Sequence, residues 1–216
     1  MLKKLKIFIL KIIYYMLKGV VDTHLMISVA IAGQENFKKI PHESGIIIAA
    51  NHSSALDIAV IARAFHDHLI RTSWIVSKYN SKLWYLQWCF WLFKCIIVNG
   101  SVAKAKADLE DGRWVVIFPK GGEKWCPPRK VKTKKKPGYG TAILALSTGL
   151  PILPIGISGA DKVLPPKSCR YKPWHTITLR IGEPFSFDIV NQEQLKDRDL
   201  LAKKTDYIME RIYELT

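Results

Sequence analysis

The sequence has few cysteines and no cysteine spacing that is typical of a metal site. The four cysteines, Cys89, Cys95, Cys126 and Cys169, form no C-x-x-C pair and show no zinc-type spacing with a histidine. Neither a disulfide framework nor a metal site is therefore indicated. Reduced cytosolic thiols are the simplest interpretation, and we expect no cofactor held by cysteine.

Acidic residues are also scarce, with 18 Asp and Glu against 33 Lys and Arg, which gives a formal net charge of +15. Such an excess calls for an anionic partner, and nucleic acid and anionic lipid headgroups are the two candidates. The aromatic residues are concentrated at 84–93 instead of being interleaved with the basic residues. No nucleic-acid recognition motif is present. We therefore expect an anionic membrane surface as a partner and no nucleic acid.

No uninterrupted apolar run is long enough to span a bilayer, which needs about 20 predominantly apolar residues. Residues 1–21 come nearest, but Lys6, Lys11 and Lys18 interrupt them, and no clear signal-peptide cleavage site follows. This pattern favours an amphipathic helix in the membrane interface, and a helix packed on the domain is the alternative. We predict a membrane-associating helix at 1–22, a domain at 23–216, and peripheral attachment to the cytoplasmic face of a membrane.

The rest of the chain alternates short β-branched apolar runs with amphipathic stretches, without an internal repeat or a linker. Strands are predicted at 24–33, 46–50, 72–77, 95–98, 114–118, 151–157 and 176–181, and helices at 57–65, 102–109, 140–147 and 192–215. Residues 34–45 are interpreted as a polar connector. The pattern predicts a single α/β domain in which helices flank a mostly parallel central sheet.

The apolar run Ile46–Ala50 ends abruptly in polar residues, at the kind of place where open α/β sheets carry their chemistry. Asp57 follows His52 by five residues, which on a regular helix separates them by roughly 140°. They can meet only if His52 lies in the turn and Asp57 in the first helical turns. The carboxylate would then orient the imidazole as a general base. Alternatively, Ser53 or Ser54 caps the helix and His52 is an ordinary turn residue.

Two further segments are unusual. The apolar strand 114–118 leads into a glycine-rich turn, 119–123, whose amides could face an anion, and residues 124–136 carry seven basic residues and no acid. That basic run is either a phosphate or membrane contact or a solvated loop. The aromatic stretch 83–93 fits an acyl-chain tunnel wall or a membrane-interface belt, and a buried helix is the alternative.

Four stretches in this order resemble the motifs of one family. They are Asn51-His52-Ser53-Ser54-Ala55-Leu56-Asp57, Lys94–Asn99, Phe118-Pro119-Lys120-Gly121-Gly122-Glu123, and Leu150–Ile155. The chain resembles the PlsC-type glycerophospholipid acyltransferases, which have a His-x-x-x-x-Asp motif. The resemblance implies transfer of a fatty acyl group from acyl-CoA or acyl carrier protein to a hydroxyl of a lysophospholipid such as 1-acyl-glycerol-3-phosphate, without a metal.

The resemblance also implies roles for individual residues. His52 would accept the hydroxyl proton and Asp57 would orient His52. The residues expected to contact substrate are Asn51, Ser53, Lys78, Lys120, Gly121, Gly122, Glu123, Arg129 and Pro154.

The third motif departs from the family pattern Phe-Pro-Glu-Gly-Thr-Arg. Lys120 stands at the glutamate position and Glu123 at the arginine position, so the two charges are exchanged. The second motif ends in Asn99-Gly100, where the family often has arginine. Either Lys120 and the basic run bind a phosphate in a rearranged way, or the acceptor is another lysolipid, an aminolipid or a glycolipid. A non-catalytic relative that binds anionic membranes is the rival interpretation.

Overall fold

The fold is a seven-stranded sheet with helices on both faces. The computed structural model describes residues 8–9, 12, 15, 28–41, 43–76, 94–97, 101–121, 137–165, 170–172 and 174–216. The strands are β1 (Ser28–Ala32), β2 (Ile46–Ala50), β3 (Thr72–Val76), β4 (Cys95–Ile97), β5 (Trp114–Ile117), β6 (Ile152–Ser158) and β7 (Thr176–Ile181). The helices are α1 (Gln34–Lys38), α2 (Leu56–Ala64), α3 (Ser101–Glu110), α4 (Gly140–Thr148), α5 (Ala160–Val163) and α6 (Arg198–Tyr213). The predicted α/β architecture is confirmed.

The strands are ordered β1-β7-β6-β2-β5-β3-β4. Every neighbouring pair is parallel except β6 and β7, which pair antiparallel. The ends of β2, β3, β4, β5 and β6 therefore share one edge of the sheet, called the carboxyl edge below, and β7 begins at that edge. The sheet is mostly parallel, as the sequence predicts. The exceptions are β1 and β7, which run parallel to each other and opposite to the other five strands.

The central position of β2 accounts for its continuous apolar sequence, because helices cover it on both faces. Ile48 and Ala50 pack in one core cluster with α2, through Val60 and Ile61. Ile47 and Ala49 lie on the other face and belong to the cluster that contains side chains of α3, α4 and α6. All five residues of β2 are at most 1% exposed. The turn that follows β2 is consequently attached to a fully buried central strand.

Most predicted boundaries in the described residues agree with the structure within two residues, and larger differences include the following two. The polar connector 34–45 contains the short helix α1, which begins directly after Gly33 in the left-handed conformation. The terminal helix begins at Arg198 and not at 192, because the Asp197 side chain caps it by accepting hydrogen bonds from the amides of Asp199 and Leu200. A short 3-10 turn, Gln194–Lys196, precedes that cap.

The N-terminal prediction falls mainly outside the described residues. The described ones, Phe8, Ile9, Ile12 and Tyr15, are helical and exposed. Phe8, Ile12 and Tyr15 follow the spacing of one helix face. In the part of the chain that the structure describes, no helix is long and apolar enough to cross a bilayer. The aromatic stretch 83–93 and the basic run 124–136 also lie outside the described residues.

Candidate active site

His52 and Asp57 meet at the carboxyl edge, in the turn between β2 and α2. Helix α2 begins at Leu56, so Asp57 lies in its first turn while His52 lies in the preceding turn. The Nδ1 atom of His52 is 2.9 Å from Oδ2 of Asp57. This is the arrangement that the five-residue spacing requires if the two side chains are to interact.

Backbone amides fix the Asp57 carboxylate. Its Oδ2 atom also accepts hydrogen bonds from the amides of Ser53 and Ser54, both at 2.7 Å. The side chain is 0% exposed, and a carboxylate in a first helical turn is favoured by the helix dipole. The N-cap residue Ala55 provides no side-chain cap, and the Ser54 hydroxyl donates to the carbonyl of Leu164 at 3.0 Å and accepts a long hydrogen bond, 3.4 Å, from the amide of Leu56. The structure therefore shows the contact between His52 and Asp57, beside a weaker contact of the Ser54 hydroxyl with the first amide of the helix.

The imidazole of His52 is confined on a second side by Phe118. The two rings are stacked with centroids 4.2 Å apart and planes 21° from parallel. Phe118 directly follows β5, the neighbour of β2, and is the first residue of the third motif. The His52 side chain is 9% exposed. Stacking and the Asp57 contact together leave the ring little freedom, and they bring the first and third motifs side by side.

Asn51 and Pro154 make their described contacts with the protein backbone. The Asn51 amide donates to the carbonyl of Ile157 and accepts from its amide, both at 2.7 Å. Pro154 is buried within β6, opposite Ala49, and its carbonyl accepts from the amide of Gly182 at 2.9 Å. Asn51 thus ties the end of β2 to β6, next to His52. A direct substrate contact by either residue stays a prediction.

Lys120 and Gly121 lie in the tight turn after β5, at the same edge. The Gly121 amide donates to the carbonyl of Phe118 at 2.8 Å, and Gly121 has φ 68°, which favours glycine. The exposed Lys120 amine is 3.3 Å from the hydroxyl of Tyr213 and 5.8 Å from its ring centre. Tyr213 is 93 residues away in the chain, and no signal in the sequence connects it to this motif.

The other predicted site residues are Ser53, Lys78, Gly122, Glu123 and Arg129. Ser53 contributes its backbone amide to the Asp57 carboxylate. The remaining four lie outside the described residues. Among the residues that the structure describes, no group of three His, Cys, Asp or Glu side chains could hold a metal ion.

Comparison with known proteins identifies the family. Residues 28–158, more than half of the chain, match the family described as Acyltransferase. The chain belongs to this family. The matched region includes β1 through β6, together with the His52 and Asp57 pair.

Individual relatives support the same assignment. The chain is 24% identical over 200 residues to a 1-acyl-sn-glycerol-3-phosphate acyltransferase of Saccharomyces cerevisiae, a match that covers 88% of this chain and 62% of that protein. The chain therefore spans about three fifths of that relative. Its fold is similar to the crystal structure of the 1-acyl-sn-glycerophosphate (LPA) acyltransferase PlsC from Thermotoga maritima. The TM-score is 0.67 at 26% identity, covering 100% of this chain and 84% of that one. The predicted PlsC-type family is confirmed.

A shallow cleft of about 400 Å³ lies at the opposite edge of the sheet, between the loop before β2, the end of α3 and the end of α4. Its lining includes Glu43, Leu109, Thr148 and Ile189, and none of the predicted site residues. The described cleft and the His52 and Asp57 pair are therefore separate features.

Proposed function

We propose that this chain is an O-acyltransferase of phospholipid biosynthesis. It would move a fatty acyl group from acyl-CoA or acyl carrier protein to the free hydroxyl of a lysophospholipid such as 1-acyl-glycerol-3-phosphate. The observation that carries the proposal is the contact between His52 and Asp57 at the end of β2, with the carboxylate fixed by two backbone amides. Such a pair suits a general base that acts on a hydroxyl.

The chemistry follows from which ring nitrogen Asp57 uses. Because Nδ1 of His52 faces the carboxylate, Nε2 would accept the proton of the acceptor hydroxyl. The alkoxide oxygen would form a bond to the thioester carbonyl carbon, and the bond between that carbon and sulfur would then break. The thiol leaves with the proton held by His52, and Asp57 stabilises the imidazolium that exists between the two transfers.

The charges near the site support one class of acceptor headgroup, and a second class is the alternative. Lys120 is an exposed cation on the turn that begins at Phe118, the residue stacked on His52. A cation there, in a chain of net charge +15, suits a phosphate-bearing acceptor and an anionic donor. The second candidate is an acceptor without that phosphate, such as another lysolipid, an aminolipid or a glycolipid. This second candidate is favoured by the departure of the third motif from the family pattern, because Lys120 stands where the family has glutamate.

Peripheral attachment at the cytoplasmic face of a membrane is part of the proposal. The exposed apolar residues Phe8, Ile12 and Tyr15 on one face of the N-terminal helix support it. Deletion of residues 1–21 is expected to weaken binding to anionic vesicles. Unchanged binding would move the contact to another surface.

The experiment that tests the function is acyl transfer from labelled acyl-CoA and labelled acyl carrier protein to a panel of lysolipids. His52→Ala is measured alongside, with its fold checked by thermal unfolding. Transfer to lysophosphatidic acid that falls by several orders of magnitude in the variant is the expected result. Activity confined to another acceptor would support the second candidate. Equal activity of variant and wild type would exclude the mechanism, and no transfer to any acceptor would favour a non-catalytic membrane-binding protein.

A further inference from the structure

Exposed apolar side chains are concentrated at the carboxyl edge, where the His52 and Asp57 pair lies. Five large apolar side chains with more than a third of their surface exposed belong to this edge: Ile58, Ile97, Tyr139, Trp174 and Tyr213. Beyond residue 15, the described part of the chain exposes two others, Ile189 and Tyr207. Ile189 lines the cleft at the opposite edge, and Tyr207 packs on Phe185, which pairs with the start of β6.

Trp174 is the most exposed of all these side chains, at 76%. Its backbone has φ 72°, the left-handed conformation that costs free energy for a bulky residue. The surrounding loop is tied to the fold, since the Lys172 amide donates to the carbonyl of Val163 at 2.8 Å and β7 begins at Thr176. The fold thus keeps a large indole in solvent at an energetic cost, which points to an occupant for that side chain.

A short series of contacts connects Trp174 with the dyad. The amide of Ser54 donates a hydrogen bond to the Asp57 carboxylate, and its hydroxyl donates one to the carbonyl of Leu164. Leu164 adjoins Val163, the residue to which the Trp174 loop is bonded. Whatever binds Trp174 is therefore brought against the edge that carries His52.

The charge around Trp174 selects the kind of partner. Arg170 and Lys172, four and two residues before it in the sequence, are exposed, and the sequence between Asp161 and Glu183 contains five basic residues and no acid. Basic side chains near a membrane surface are attracted to anionic headgroups. Indole rings prefer the boundary between headgroups and acyl chains, where the apolar ring is buried and its N–H is solvated.

We propose that Trp174, Arg170 and Lys172, called the Trp174 surface, dock on an anionic lipid surface. The indole enters the headgroup region while the two cations contact lipid phosphates, so that the carboxyl edge faces the bilayer. The inference rests on the proposed function in one respect, which is that the acceptor is a membrane lipid. It identifies a lipid contact in addition to those predicted for residues 1–22 and 124–136.

The test is co-sedimentation of the full chain with vesicles of phosphatidylcholine and phosphatidylglycerol in equal parts, and with vesicles of phosphatidylcholine alone. Trp174→Ala and Trp174→Gly should each weaken partitioning into the anionic vesicles about tenfold, the order expected for one large apolar side chain. Glycine adopts φ 72° without strain, so Trp174→Gly remains folded where alanine is unsuited. Ile189→Ala is the matched control, because Ile189 is a large apolar side chain of similar exposed fraction at the opposite edge. This variant should partition like the wild type.

Lys172→Glu should weaken partitioning into the anionic vesicles only. Wild-type partitioning of both Trp174 variants would overturn the proposal, as would an equal loss in Ile189→Ala. Weaker binding of an acidic acyl carrier protein with unchanged vesicle binding would also overturn it and make the surface a protein site. The proposed function fails separately: His52→Ala should partition like the wild type, and a chain that docks through Trp174 without transferring an acyl group would refute only the function.

Discussion

Asp57→Asn separates the charge of the dyad from its geometry. In the wild type, Oδ2 of Asp57 faces three nitrogens: Nδ1 of His52 and the amides of Ser53 and Ser54. The two backbone amides can only donate, so they require an oxygen at that position. The asparagine oxygen should take the Oδ2 position, and its NH₂ group should take the position of Oδ1, which has no partner among the described residues.

This orientation keeps the productive tautomer of His52. Its Nδ1–H can still donate to an oxygen, and Nε2 remains the acceptor. What the variant loses is the negative charge that stabilises the imidazolium. Hydrogen bonds to charged groups contribute about 1.5–3 kcal/mol, which corresponds to a fall in kcat of roughly 10- to 150-fold. In a protease triad where the same substitution gives the wrong tautomer, the loss is on the order of 10⁴-fold.

The assay is kcat for acyl transfer at saturating donor and acceptor, with the ¹⁵N shifts of the His52 ring to identify its tautomer. Asp57→Ala is the comparison, because it leaves both backbone amides and the imidazole without the carboxylate and should be both less stable and less active. A loss near 10⁴-fold in Asp57→Asn, with an inverted tautomer, would refute the argument that the two amides fix the oxygen. Wild-type activity would remove Asp57 from the mechanism.

Three further predictions concern two residues near the dyad and one ion pair at the opposite edge of the sheet. Asn51→Ala leaves the amide and carbonyl of Ile157 unpaired and should lower the free energy of unfolding by about 2–3 kcal/mol in denaturant titration; an unchanged midpoint would contradict the tie between β2 and β6. Lys120→Met should raise KM about tenfold for a phosphate-bearing acceptor and leave an uncharged acceptor unaffected, and equal effects on both would exclude the phosphate contact. The Lys39 amine lowers the pKa of the exposed Glu183, first by a hydrogen bond and then by its charge. This pair therefore stabilises the fold at pH values above the unfolded-state pKa of the Glu183 carboxyl. The stabilisation is lost as the pH falls through the lowered pKa of the folded state. Lys39→Met should remove that pH dependence from the thermal midpoint. The effect is small and screened by salt, so it is measured at low salt. An unaltered pH dependence of the midpoint at low salt would refute the role of this ion pair.

The sequence predicts the dyad because its determinants are local. Five consecutive β-branched or small apolar residues specify β2, the polar residues end it, and the His52 and Asp57 spacing has one geometric solution. The structure has that solution, with α2 beginning one residue before Asp57. Strand β7 was likewise predictable to the residue, because polar and apolar residues alternate along Thr176–Ile181, and the structure buries the apolar ones.

The rest of the site depends on contacts that sequence spacing does not contain. Asn51 bonds to a residue 106 positions away, and Lys120 contacts one 93 positions away. The direction of β7 is also non-local, because it depends on which neighbour it pairs with. An antiparallel β7 is what brings Trp174 to the same edge as His52.

The carboxyl edge combines two properties that suit a lipid acyltransferase, which are the His52 and Asp57 pair and a group of exposed apolar side chains. The acceptor hydroxyl of a lysolipid lies at headgroup level, since its acyl chain holds it in the bilayer. A base that is 9% exposed can reach that hydroxyl only if the protein sits close to the lipid surface. Docking through the Trp174 surface, as proposed, would hold His52 towards the headgroups. The depth at which the indole enters the membrane should then determine acyl transfer to bilayer lysolipid, while transfer to a monomeric short-chain acceptor should be independent of Trp174.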